Sequence, residues 1–174
     1  MTQCTLHSIS LPIGTFLLAE VNGSLCAMTT ASHLPSLKKQ LQRFLSDEIS
    51  FEQNTTPLLQ LAEEQLKEYF TGHRQSFNLP LTLCGSDFQQ RVWKQLLNIP
   101  YGSTCSYGYI AKQLQQKGAQ SVGTAVGKNP LPIIVPCHRV LPQNGTLGQF
   151  SMEGGPDVKA ILLDLEGAHY KKQQ

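Results

Sequence analysis

Apolar positions along the chain fall into two spacings, and the change between them divides it. Near the start, "TFLLAEV" and "SLCAMTT" flank Asn22-Gly23, the dipeptide best suited to a tight turn with positive φ, so the first 30 residues read as a β-hairpin. Leu34, Leu37, Leu41, Phe44 and Leu45 then recur at helical spacing. A firmer helix opens at Thr56-Pro57, a cap residue followed by proline at the first helical position, and carries Leu58, Leu61, Ala62, Leu66, Tyr69 and Phe70 to Gly72. Together these predict a small α/β unit. "SFNLPLTLCG" is extended in character and the pattern changes after it, which places a boundary near residue 85, between an N-terminal domain over 1–85 and a C-terminal domain over 86–174.

Beyond that boundary the spacing is mostly helical. Ser86 and Gln89 form a capping-box pattern ahead of a stripe of Phe88, Val92, Trp93, Leu96 and Leu97, which Pro100 closes. Ser106 is placed to cap the next helix, with Tyr107, Ile110, Ala111 and Leu114, ending at Lys117-Gly118. Another follows at once, with Val122, Ala125 and Val126 on its inner face, and stops before Asn129-Pro130. Two short helices across a glycine turn predict a helix-turn-helix. A last helix aligns Val158, Ile161, Leu162 and Leu165 and ends at Gly167. No internal repeat or low-complexity segment interrupts the pattern.

Composition adds bounds. With 174 residues, 40% of them hydrophobic, the chain can build its cores without disulfides. Its five cysteines, Cys4, Cys26, Cys84, Cys105 and Cys137, are an odd number without CxxC spacing, which argues for reduced thiols. No apolar run approaches the roughly 20 residues a membrane helix needs, and "MTQCTLHSIS" lacks the basic-then-apolar order of a secretory signal, so a cytoplasmic location without membrane contact is expected. Charge is uneven. Residues 1–84 hold 5 Lys/Arg against 7 Asp/Glu, whereas residues 85–174 hold 9 against 5. From Phe88 through Met152 there is no carboxylate, yet Arg91, Lys94, Lys112, Lys117, Lys128 and Arg139 are present. Such a stretch suits a polyanion, and equally a merely basic surface.

Two local features bear on chemistry. The helix "AQSVGTAVGK" contains Gly123 and Gly127, each costing about 1 kcal/mol relative to alanine in a helix interior. Either the helix packs tightly on a neighbour, or its backbone closely approaches a ligand, for which small side chains with Lys128 at the end suit a phosphate-walled groove. The second feature is "IIVPCHRV". A thiol is a strong nucleophile only as thiolate, so a reactive cysteine needs a base or positive field and a third group to orient the base. Adjacency alone does not supply this, because consecutive side chains on regular structure point apart. Pro130, Pro132 and Pro136 favour a rigid, irregular turn able to aim Cys137 and His138 into one pocket.

"NPLPIIVPCHRV", preceded by "IPYGSTCSYGYIA" and "VGTAVGKNP" and followed by "NGTLGQFS" and "LLDLEG", resembles the O6-alkylguanine-DNA alkyltransferases. The likeness runs from about Ser86 to Gly167, with two extra residues near Met152-Glu153; the N-terminal third shares only "LPIGTFLLAEVNGSL" in style. The resemblance implies a small N-terminal α/β domain with an antiparallel, ribonuclease H-like sheet and a mostly α C-terminal domain. It implies that Cys137 takes the alkyl group in a single turnover, that His138 acts as base through a water, and that Glu166 orients His138. Tyr107 would assist at the base and help turn the nucleotide out, and Asn129 would brace the turn. The backbone around Cys137, Val140 and Ser151 would hold the guanine edge, with Phe150 as the pocket wall. Gln120, Ser121, Gly123, Thr124, Gly127 and Lys128 would meet the minor groove of double-stranded DNA, the protein acting as a monomer without a cofactor.

The chain departs from the family pattern at Gln120, where an arginine is common, and at Phe150, where a tyrosine is common. Other readings remain at this level. Alkyltransferase-like lesion sensors bind alkylguanine without transfer, but they lack the cysteine that stands here at 137. A transcriptional regulator would bring a dimerisation or sensor domain. Cys4, Cys26, His33 and Cys84 have no pair at zinc-ligand spacing, so no metal is expected. Cys84, Cys105 and Trp93 read as core, and His7, His73 and His169 as surface.

Overall fold

A computed structural model describes residues 2–45 and 48–172. The chain divides into two units, Met1–Ser86 and Asp87–Gln174. In the first, strands β1 (Thr2–Leu11), β2 (Gly14–Val21) and β3 (Ser24–Thr29) are joined antiparallel, and β4 (Ile49–Gln53) adds to the free side of β1 in parallel, giving the order β3-β2-β1-β4. The hairpin turn forms where Asn22 and Gly23 adopt φ of 52° and 78°. Helices α1 (Leu34–Phe44) and α2 (Pro57–Phe70) complete the unit, and the Thr56 side chain accepts a hydrogen bond from the Leu59 amide. One apolar cluster gathers Leu6, Val21, Ala27, Leu37 and Leu41 with Cys4, Cys26 and Cys84. The opening segment, read from sequence as a hairpin only, thus contains a third strand, β1, that lies inside the sheet.

In the second unit, α3 (Asp87–Leu96) buries Trp93, whose indole N–H donates to the Ala125 carbonyl at 2.8 Å and fastens it to α5 (Gln120–Gly127). Helix α4 (Tyr107–Gln113) is capped by Ser106, which accepts from the Tyr109 amide. It ends earlier than its apolar spacing suggested, because Leu114 leaves helical geometry and Gln115 takes a φ of 58°. Helices α4 and α5 form the helix-turn-helix.

Two short strands then fix the site. β5 (Cys105–Ser106) pairs in parallel with β6 (Val140–Leu141), matching Cys105 to Val140 and Ser106 to Leu141. The ladder sets the start of α4 beside the single turn of 3-10 helix, Cys137–Arg139, that carries the Cys-His pair. Helix α6 (Gly155–Glu166) closes the unit, with Val158, Lys159, Leu162, Leu163 and Glu166 buried. This inner face differs from the expected one: Ile161 is 49% exposed and Lys159 is inside. Cys84 and Trp93 are core residues, whereas Cys105 is only half-buried. Among the described residues no helix is long and apolar enough to cross a membrane.

Candidate active site

The segment from Asn129 to Arg139 makes almost no regular structure, yet it is buried throughout. Asn129 explains how. Its side-chain amide donates to the Val135 carbonyl at 2.8 Å and its oxygen accepts from the Leu131 amide at 2.9 Å, so one residue satisfies two interior backbone groups. Each would cost about 1–3 kcal/mol if left unpaired. Within that brace Ile133 adopts a φ of 74°, an unfavourable conformation for a β-branched residue that the surrounding bonds hold in place.

Cys137 sits at the inner wall of a cavity of about 170 Å3 lined by Tyr107, Gly123, Val126, Gly127, Gln149, Phe150 and Ser151. Burial pushes its thiol up to about 11. A hydrogen bond from the Asn129 side chain, the charge of Lys159 and the backbone N–H groups of Cys137 and His138 pull the other way.

His138 is fully buried, and its Nε2 lies 2.7 Å from Glu166 Oε2. A carboxylate only accepts, so Nε2 carries the ring proton and Nδ1 keeps its lone pair. Nδ1 has no hydrogen-bond partner among the described residues. Burial lowers the pKa of the ring, against the opposing influence of Glu166. The same carboxylate also takes Arg139 Nε at 2.9 Å, Arg139 Nη2 at 3.1 Å and the Gly102 amide at 3.1 Å, while Arg139 Nη1 donates to the Ile99 carbonyl at 2.7 Å. Glu166 therefore holds the imidazole and neutralises a buried guanidinium together. Breaking such a pair costs about 3–5 kcal/mol.

The residues expected from sequence separate into four groups. Tyr107, Gly123, Gly127, Cys137, Phe150 and Ser151 meet at the cavity, and Asn129, His138 and Glu166 support it from the interior. Val140 is buried in β6 and does not line the cavity. Gln120, Ser121, Thr124 and Lys128 are exposed on or beside α5. Of the six cations counted as one basic stretch, Arg139 is interior and paired, which leaves Arg91, Lys94, Lys112, Lys117 and Lys128 at the surface. A β-carbon built on Gly127 meets nothing within 4 Å, so tight packing does not account for that glycine; on Gly123 it comes 3.8 Å from the Tyr107 ring.

Sequence reasoning missed Arg139 and Lys159. Lys159 lies seven residues before Glu166, and Lys159, Leu162, Leu163 and Glu166 share one helical face, so the position of Glu166 was the available signal. In the N-terminal unit the Cys26 thiol donates to the Ala19 carbonyl at 3.4 Å, and the neighbouring Cys4 and Cys84 together with burial hold it protonated. His33 instead bonds Thr30 Oγ1 at 2.8 Å, and among the described residues no three His, Cys, Asp or Glu are placed to hold a metal.

The second unit thus joins a helix-turn-helix to a thiol at the wall of a small cavity and to an interior imidazole–carboxylate pair. Comparison with known proteins agrees. Residues 87–168 match the DNA binding domain of 6-O-methylguanine DNA methyltransferase, and residues 5–83 match its ribonuclease-like domain. The constitutive methylated-DNA–protein-cysteine methyltransferase of Bacillus subtilis is 44% identical over 123 residues, 70% of this chain and 74% of that protein. The Mycobacterium tuberculosis protein of that name is 53% identical over 106 residues, 60% of this chain. That alignment spans only 63% of the mycobacterial relative's length. The crystal structure of the M. tuberculosis protein in complex with DNA superimposes with a TM-score of 0.76 at 39% identity, covering 94% of this chain and 92% of the other. The chain belongs to the 6-O-methylguanine DNA methyltransferase family.

Proposed function

We propose that the protein repairs DNA by taking an alkyl group from O6 of guanine onto Cys137, once per molecule. The observation that carries this reading is the Cys137 thiol at the wall of a cavity whose far side is the open backbone of α5, with the His138–Glu166 pair 2.7 Å apart in the interior beside it. Double-stranded DNA is the partner this supports. The exposed Gln120, Ser121, Thr124 and Lys128 lie on or beside α5, whose Gly123, Val126 and Gly127 line the cavity, and small residues there suit a minor groove. The target base has to leave the stack to reach the thiol, at a cost of a few kcal/mol.

The reaction balances with the groups present. His138 Nδ1 takes the thiol proton through a water. Sγ attacks the alkyl carbon, the S–C bond forms as C–O6 breaks, and the electron pair passes to guanine. Tyr107 offers a proton to the departing base; burial first, and then the Cys137 charge, raises its pKa and keeps the phenol protonated. Phe150 and Ser151 wall the base. The thioether has no easy leaving path, which makes the protein single-use and requires no cofactor. Its free cysteines fit a reducing cytoplasm, where it acts as a monomer.

Incubation with a duplex containing O6-methylguanine, followed by intact-mass measurement, tests the reading. One added methyl, absent in Cys137→Ala, is the expected result. Lesion binding without a mass gain would instead make the chain a sensor.

A further inference from the structure

Lys159 is wholly inside the protein, at the same inner face of α6 as Glu166. Its Nζ donates to the Leu147 carbonyl at 2.6 Å and the Gln149 carbonyl at 3.4 Å, and stands 6.0 Å from the ring centres of both Tyr107 and Phe150. Gln149, Phe150 and Tyr107 all wall the Cys137 cavity. Among the described residues no carboxylate forms a salt bridge with it. An ammonium taken out of water without an anion is expensive, and a methionine would fill the same space at no such expense.

We propose that Lys159 is the cation that ionises Cys137: pinned by two carbonyls and flanked by two ring faces, its ammonium provides the counter-charge the buried thiolate lacks. The carbonyls keep the ammonium in place, and the ring faces favour a cation over a neutral amine. The interaction is mutual. Burial drops Lys159 to about 8, while the Cys137 charge raises it, and the Lys159 charge lowers Cys137. The other groups facing this centre are His138 and Tyr107, with Glu166 and Arg139 beyond His138; the Lys159 and Arg139 charges both depress His138. Burial first, and these charges second, keep His138 neutral as proton acceptor, and Lys159 adds a full positive charge to the pull of Asn129 and the backbone N–H groups on the sulfur.

The proposal rests on Cys137 being the nucleophile named above, so its test uses methyl iodide without DNA. Sγ takes the methyl group, iodide leaves with the bonding pair, and the thiol proton is lost; peptide mass spectrometry reads methylation at Cys137 alone. Below about pH 8 the rate should rise with pH in proportion to the thiolate–ammonium form. Above it, that form and the thiol–amine form carry equal numbers of protons, so the rate levels off. Lys159→Met should react about tenfold more slowly at neutral pH, one unit of thiol pKa, and keep rising through pH 8. Lys159→Arg, charged at every pH, should recover most of the neutral rate and also rise through pH 8. A Lys159→Met protein with the parent's neutral rate, or one that still levels off near pH 8, overturns the proposal. So does a fall in DNA-dependent transfer with an unchanged methyl iodide profile, which would make Lys159 a prop for the 147–149 loop. Loss of DNA-dependent transfer in the parent protein, with the methyl iodide profile intact, would count against the repair reading and leave this one standing.

Discussion

Gly127→Ala should move stability and activity in opposite directions. The glycine is the last residue of α5, where alanine gains up to about 1 kcal/mol through reduced backbone freedom in the unfolded chain. No steric term opposes that gain, because the added β-carbon meets nothing within 4 Å. For a chain of this length the gain corresponds to an unfolding temperature about 2–4 °C higher. The same methyl projects into the lining of a cavity of only about 170 Å3, on the wall that faces Cys137. If the backbone there meets the extruded nucleotide, a misplacement of about 1 Å lowers the transfer rate up to about 100-fold. Scanning calorimetry and single-turnover transfer from an O6-methylguanine duplex measure the two halves. A less stable variant would show that Gly127 is packed after all. A more stable variant with the parent's rate would refute the idea that the small residues of α5 make room for substrate.

Two further outcomes follow from the site. Burial holds the folded pKa of His138 below the ordinary 6.5, so between those values the unfolded chain binds the extra proton. That part of the stability is complete above about pH 6.5 and is lost as pH falls through the folded value, at up to about 1.4 kcal/mol per pH unit; denaturant midpoints in His138→Asn should show a shallower acid decline than the parent, and an equal slope would contradict the assignment. Gln120→Arg places a cation on an exposed position of the first turn of α5 and should raise duplex affinity with a salt dependence steeper by about one phosphate contact; unchanged or weaker binding at matched salt would count against a role for this position at the backbone.

The C-terminal unit was legible because its signals are local. Ser106, Trp93 and the helix spacings each act within a few residues, and the motif around Cys137 together with Glu166 carries the family resemblance. What stayed hidden depends on distant partners. Strand β1 shows apolar alternation, but a parallel neighbour 47 positions away, Thr2 beside Ile49, has no mark in either sequence. Arg139 reads as one more surface cation until Glu166, across 27 positions, turns it inward. Lys159 was hidden by its own charge, since a stripe is sought among apolar residues, and Ile161 and Leu165 suggested a face rotated away from the buried one.

The glycine pair at the start of α6 makes a left-handed joint in the chain. Gly154 and Gly155 have φ of 93° and 55°, and both follow Met152-Glu153. Because the β5–β6 ladder and the Asn129 brace lie upstream, and α6 is anchored downstream at Glu166, length can change at this joint without shifting the reactive sulfur. A change of length here would therefore alter the outer lip of the site and leave the interior around Cys137, His138 and Glu166 in place.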